Sequence, residues 1–134
     1  MSKISPRGIR NNNPLNIRIG NNWLGEVRYP NDPEFEQFIS MEYGIRAAFV
    51  ILRRYIRRYH KNTIRMIVST WAPRSENDTD NYVDVVAKLS QIYPDTPIAY
   101  EDKQTMISIV DAMIRVECGC QVDRNKIEMG YQMA

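Results

Sequence analysis

The segment MEYGIRAAFVILRRYIRRYH, residues 41–60, constrains the fold more than any other stretch of the chain. Tyr43, Ala47, Val50, Ile51, Tyr55 and Ile56 recur at helical spacing behind Ser40, a residue type suited to an N-cap. This predicts an amphipathic helix of about five turns. Asn62 or Thr63 then caps a second helix through Ile64, Ile67, Val68 and Trp71, which must stop before Pro73. Asp78 or Thr79 opens a third, with Tyr82, Val85, Val86 and Leu89 on one face. After the breakers Pro94 and Pro97, a fourth runs from about Asp102 to Glu117, with Gly119 at the left-handed C-cap position. A short helical tail around Ile127–Tyr131 is expected to pack back.

Ahead of the long helix the pattern changes. Residues 1–22 are polar and carry six asparagines, which argues loops and turns. WLGEVRY and FEQF, interrupted by Pro30, Asn31, Asp32 and Pro33, suggest a small irregular β-region between Trp23 and Phe38. The fold class expected is therefore mainly α (α+β). A length of 134 residues fits a single domain, 1–134, with residues 1–10 as a flexible tail.

Several function classes lose support at this point. No apolar run approaches the roughly 18 residues of a membrane span, and MSKISPRGIRNNN lacks the apolar core of a secretory signal. Synthesis in the bacterial cytoplasm without a signal peptide is the expectation. Cys118 and Cys120 are separated by one glycine, so a bridge would close a very tight ring, and both are expected as free thiols. Two thiols and one histidine, His60, fall short of a zinc site, so no metal or cofactor is implied. The net charge of +2 does not call for nucleic acid.

The charges that stand out are Arg53, Arg54, Arg57, Arg58 and Lys61 along the long helix. A solvated helix face is the plain reading; attraction to anionic wall polymers or a membrane surface is a second, and DNA the weakest. Arg46 lies inside the same helix and is expected to pair with an internal carboxylate.

Glu117 is the residue most suggestive of chemistry. It continues the apolar stripe of Met106, Val110, Met113 and Ile114 at the end of the fourth helix. Desolvation and the helix's negative end both disfavour its charged form. A carboxyl protonated near neutral pH can donate a proton to a glycosidic oxygen. An ion pair with an arginine, or exposure in a frayed last turn, remains open on spacing alone. The WAPRSENDT loop offers Glu76 and polar neighbours for sugar hydroxyls, flanked by Trp71 and Tyr82, whose rings could stack on sugars. Equally, Glu76 could serve the next helix's positive end, and Asp78 is better read as its cap.

RGIRNNNPLNIR, W-x-G at 23–25, F-x-x-F at 35–38, YGIRAAF at 43–49, NTIRMIVSTWAPRSENDTDNYVDVV and DAMIRVECG together resemble a family of small phage and prophage proteins often labelled virion structural proteins. Those proteins are in turn similar to lysozyme-like muralytic domains. The resemblance covers nearly the whole chain. It implies cleavage of the glycan strands of peptidoglycan, with Glu117 and Glu76 as catalytic carboxyls and Asn13, Asn16, Trp71 and Tyr82 in substrate binding. A further likeness, to bacterial glucosaminidases and lytic transglycosylases, pairs a helix ending in an E-S-G-like turn with a following N-x-x-x-I-K-like segment. Here NNPLNIR comes first and Glu117-Cys118-Gly119 last, so the resemblance implies a lysozyme-like domain in circularly permuted order, with Cys118 replacing the usual small hydroxyl. Expected partners are peptidoglycan glycan strands and other virion proteins, with nucleic acid disfavoured; the expected location is on a virion or released to act on the wall. The alternative is a non-catalytic virion or wall-binding protein on the same scaffold. A second carboxylate could come from Glu26, Asp32, Glu34 or Glu36, and nothing in the sequence selects among them.

Overall fold

A computed structural model describes residues 5–134 of the chain. Helix accounts for 53% and strand for 3%, so the protein is mainly α, as the sequence predicts. The helices are α1 (Arg7–Arg10), α2 (Met41–Tyr59), α3 (Ile64–Trp71), α4 (Thr79–Ser90), α5 (Lys103–Cys118) and α6 (Arg124–Met133). The last packs along α2; α4 lies along α5 and against α3, and α5 also meets α6. Ile45, Phe49, Ile67, Met106, Met113 and Ile114 are among the side chains sealed between them.

Side-chain caps explain why the middle helices start where they do. The Met66 N–H donates to Thr63 Oγ1, Asn81 N–H to Asp78 Oδ1 and Thr105 N–H to Asp102 Oδ1, each satisfying a backbone donor that a helix start leaves free. Ser40 occupies the N-cap position of α2, but its hydroxyl caps nothing. The buried face of α2 also differs from the predicted stripe. Of that stripe only Ala47 is buried, alongside Met41, Ile45, Ala48, Phe49 and Leu52, whereas Tyr43, Val50, Ile51, Tyr55 and Ile56 are only half-buried. Apolar residues cover much of this helix's circumference, so their period locates the helix without saying which side meets the core.

Four expectations need correction. The first is the flexible tail over residues 1–10. Residues 1–4 lie outside the described residues, but Arg7–Arg10 form a helical turn. Arg7 anchors it by donating through Nε and Nη2 to both oxygens of Asp32, each at 2.6 Å, which holds the Asp32 carboxyl far below the usual carboxylate range. The second is the β-region, which reduces to two isolated antiparallel bridges, Arg18–Phe35 and Glu26–Phe38. Its backbone groups are met by scattered backbone bonds, such as Val27 N–H to the Gln37 carbonyl and Glu36 N–H to that of Ile17, by Asp32 Oδ1, and by asparagine side chains. Asn13 Nδ2 donates to the carbonyls of Ile17 and Glu36, Asn13 Oδ1 accepts from Ile17 N–H, and Asn12 Nδ2 donates to the Phe38 carbonyl. This loop crosses α2 at Gly44, where a Cβ would overlap the Asn12 carbonyl oxygen.

Arg46 is the third: its Nε donates to the Met133 carbonyl at 3.2 Å, tying α2 to the end of α6 rather than pairing with a carboxylate. The fourth concerns the thiols. Cys118 and Cys120 are joined by a disulfide. Gly119, left-handed at φ 66°, ends α5 and brings the flanking Cα atoms to 5.1 Å, well within bridging range. The helix C-cap supplies the tight turn that the small ring requires.

Candidate functional site

Glu117 comes at the end of α5, one residue before the helix's last position. The chain of the N-terminal loop meets it there. Asn16, held left-handed at φ 54°, donates from Nδ2 toward the Glu117 backbone carbonyl at 3.2 Å and toward its Oε1 at 3.3 Å. Asparagine tolerates that backbone conformation better than most residues, which suits it to this corner. Glu117 is half-buried, and burial raises its carboxyl above the ordinary value; the Asn16 amide, which favours the charged form, opposes part of that rise.

The carboxyl opens on a cleft of about 590 Å³. Asn16 and Arg18 line one part of it with Asn21 and Phe35, while Ile51 and Tyr55 come from α2. Trp71 and Ala72 at the end of α3, then Glu76 and Asn77 of the following loop, complete the lining. Tyr55 and Trp71 meet edge to face, ring centroids 6.4 Å apart. The Arg18 guanidinium lies 5.1 Å from the centre of the Phe35 ring. The loop bearing Glu76 is braced by Thr79 Oγ1 donating to the Ala72 carbonyl and by Asn77 Nδ2 donating to that of Pro73. Glu76 itself is exposed and forms no ion pair among the described residues.

Four of the expected site residues, Glu117, Glu76, Asn16 and Trp71, therefore converge on one cleft although they come from distant parts of the chain. Two others do not line it. Asn13 is 1% exposed and its amide is consumed by the backbone of residues 17 and 36, so its role is to shape the loop that presents Asn16. Tyr82 is 4% exposed and stands behind Glu117 rather than in the cleft. Burial, and then the neighbouring Glu117 charge, push its phenol well above the usual value. The hydroxyl sits near enough to Glu117 to feel its charge but completes no hydrogen bond in this geometry.

Sequence reasoning missed Tyr55 and Ile51 as cleft residues by assigning them to the core stripe of α2. It also missed Arg18, Asn21 and Phe35. No periodic signal marks these three; Arg18 and Phe35 become neighbours through the isolated bridge between their loops. Among the acidic candidates of residues 26–36, the structure singles out Glu36. It is buried, its Oε2 has no partner, and its carboxyl is pushed up to about 7 by burial first and then by adjacent Glu26. Glu36 does not line the cleft, however. Among the described residues no three His, Cys, Asp or Glu side chains gather as metal ligands, and no helix is long and apolar enough to cross a membrane. The basic stripe is partly engaged: Arg57 pairs with Glu101, and Arg53 and Arg57 both lie over the Tyr100 ring.

No family model matches the chain. A curated phage protein does: Protein P5 of Pseudoalteromonas phage PM2 is 41% identical over 131 residues, covering 94% of this chain and 80% of that protein. The chain belongs to the Protein P5 family. At that identity and coverage the similarity takes in nearly all of the folded region, from the asparagine loop to the end of α5. The resemblance to phage proteins thus stands on a relative matched over most of both chains.

Proposed function

We propose that the protein is a phage virion component that cleaves the β-1,4 glycan strands of peptidoglycan, with Glu117 as general acid. The observation that carries the reading is the half-buried Glu117 carboxyl, opening with Asn16, Trp71 and Glu76 onto one cleft. A site of this type needs a proton held near neutral pH beside a groove with aromatic surface for sugar rings and amides for their hydroxyls. Protonated Glu117 would give its proton to the glycosidic oxygen as the bond breaks. Asn16 would then stabilise the carboxylate left behind. Glu76, on the opposing loop, would face the sugar's other side as the base that activates water, in the manner of paired-carboxylate glycosidases. Trp71 and Tyr55 would seat the sugar rings. Contact between Asn16 and Glu117, 101 residues apart, supports a lysozyme-like arrangement in permuted order, since the front of the chain meets its last long helix at the acid.

Family membership favours a second and coarser reading: a virion structural or wall-binding protein that keeps the cleft without catalysis. It asks only that the phage setting of Protein P5 carry over, and in that respect the comparison backs it more directly than it backs cleavage. Other virion proteins would then be partners. One experiment separates the two. Purified protein should clear a peptidoglycan zymogram and release soluble muropeptides. Glu117→Gln should lose at least about 100-fold of that activity while keeping its helical circular dichroism. Equal inactivity of both proteins on several walls would leave the structural reading in possession.

A further inference from the structure

We infer that the Cys118–Cys120 bridge is a thiol–disulfide exchange site that sets the geometry of the Glu117 end of the cleft, its partner being a small or protein dithiol. Cys118 is the last residue of α5 and directly follows Glu117. The Gly119 N–H donates to the Arg115 carbonyl at 3.1 Å to close the helix, so the bridge spans the residue that makes the cap. On its inner side the same turn presents the Glu117 carbonyl and carboxyl to Asn16. On its outer side a Cβ placed on Gly119 would meet nothing within 4 Å, and Cys118 and Cys120, though packed against the core, are only partly buried, which leaves the bridge in reach of an attacking thiol.

The small ring makes a global staple an inadequate account. Closing so short a loop removes little freedom from the unfolded chain, and the glycine cap persists without it. What the bridge does restrict is local: the torsions of residues 118–120, and through them the last turn of α5 and the departure of the chain toward α6. A feature that adds little to overall stability and sits beside the acid is placed to modulate the site.

Exchange is chemically complete as follows. A thiolate of the reductant attacks one cysteine sulfur and displaces the other as a thiolate. The reductant's second thiol then resolves the mixed disulfide, leaving Cys118 and Cys120 as two thiols and the reductant as a disulfide. Glutathione disulfide drives the reverse, with two glutathione thiols as product. The pair is open in a reducing cytosol and closed in an oxidising medium.

The test compares full-length protein equilibrated with glutathione disulfide and with dithiothreitol. Alkylation should count no free thiols in the first state and two in the second, with unchanged helical circular dichroism. The Glu117 carboxyl carbon and the Asn16 side-chain amide should show different NMR shifts in the two states, and Cys118→Ser/Cys120→Ser should resemble the reduced state and ignore either reagent. Glycan release should fall several-fold on reduction; that arm alone rests on the proposed cleavage activity. If neither state cleaves glycan, the proposed activity fails while the NMR shifts still decide the coupling. Two free thiols after oxidation, identical Glu117 and Asn16 shifts, or unfolding on reduction would each overturn the inference.

Discussion

Among the described residues, burial favours the protonated form of a carboxyl in two regions, and only one of them opens that carboxyl on a cleft. At the end of α5, burial raises Glu117, yet one face of the carboxyl opens on the cleft and Asn16 stands ready to donate to its charged form. Between the N-terminal loop and α2, burial raises Glu36 to about 7, but the group is 6% exposed and its neighbour is another acid, Glu26. Perturbed titration alone would rank Glu36 with or above Glu117. Access and the chemistry of the neighbour reverse that order: an acid catalyst must both reach its substrate and tolerate losing its proton.

The sharpest way to break the comparison is to remove each carboxyl separately. Glu36→Gln should retain glycan release within about twofold, in contrast to the loss of two orders of magnitude expected for Glu117→Gln. A result in which Glu36→Gln is the inactive variant would transfer the site to the smaller region. Next in size is Gly44→Ala. The added methyl meets the Asn12 carbonyl, and the loop that must then move carries both Asn13, bonded beside Glu36, and Asn16, bonded to Glu117. We expect a loss of about 2–3 kcal/mol in urea unfolding, with poorer activity. A neutral outcome would show that the loop shifts without harm to either region.

The third prediction uses pH. Glu36 is raised in the folded state, so between the unfolded value near 4.5 and the folded value near 7 the unfolded chain holds fewer protons. Stability therefore falls as pH rises through that window, reaches its full penalty above it, and is spared below. The wild-type Tm should drop by roughly 10 °C from pH 4.5 to pH 8 relative to Glu36→Gln, which replaces the titrating group with a neutral one. Parallel profiles for the two proteins would mean that burial does not hold the proton on Glu36.

The contrast between these regions also marks what was legible in the residues. Thr63, Asp78 and Asp102 cap helices, Gly119 ends one, and Glu117 lies on the apolar stripe of α5; all are local signals, and each located its element. Residues 5–38 were opaque because much of their order comes from side-chain bonds to distant partners, such as Asn13 to the Glu36 carbonyl and Arg7 to the Asp32 carboxylate, which leave no period in the sequence. The same cause hid Asn13's structural role. The facing of α2 was lost for a different reason. Tyr55 and Ile51 are apolar because they wall a cleft, and a helix with two apolar faces gives its period but not its orientation. For the cysteines, the rule against tight rings was applied to the pair without the left-handed glycine that makes the ring fit.

Tyr82→Phe should have the smallest effect and bears most directly on why Glu117 can cycle. The Tyr82 hydroxyl is buried without a completed hydrogen bond, so deleting it removes an unpaired polar group and should leave stability within about 1 kcal/mol of wild type, on the favourable side. Its influence on the acid is the informative part. The nearby phenol nonetheless favours the ionised carboxyl, as the Asn16 amide does. With Phe at 82, the carboxyl should hold its proton to slightly higher pH, and the Glu117 limb of a pH–rate profile should move upward by a fraction of a pH unit. The Glu36 titration should not move. An unchanged Glu117 limb would leave Asn16 as the acid's sole tuned neighbour and reduce Tyr82 to packing behind it.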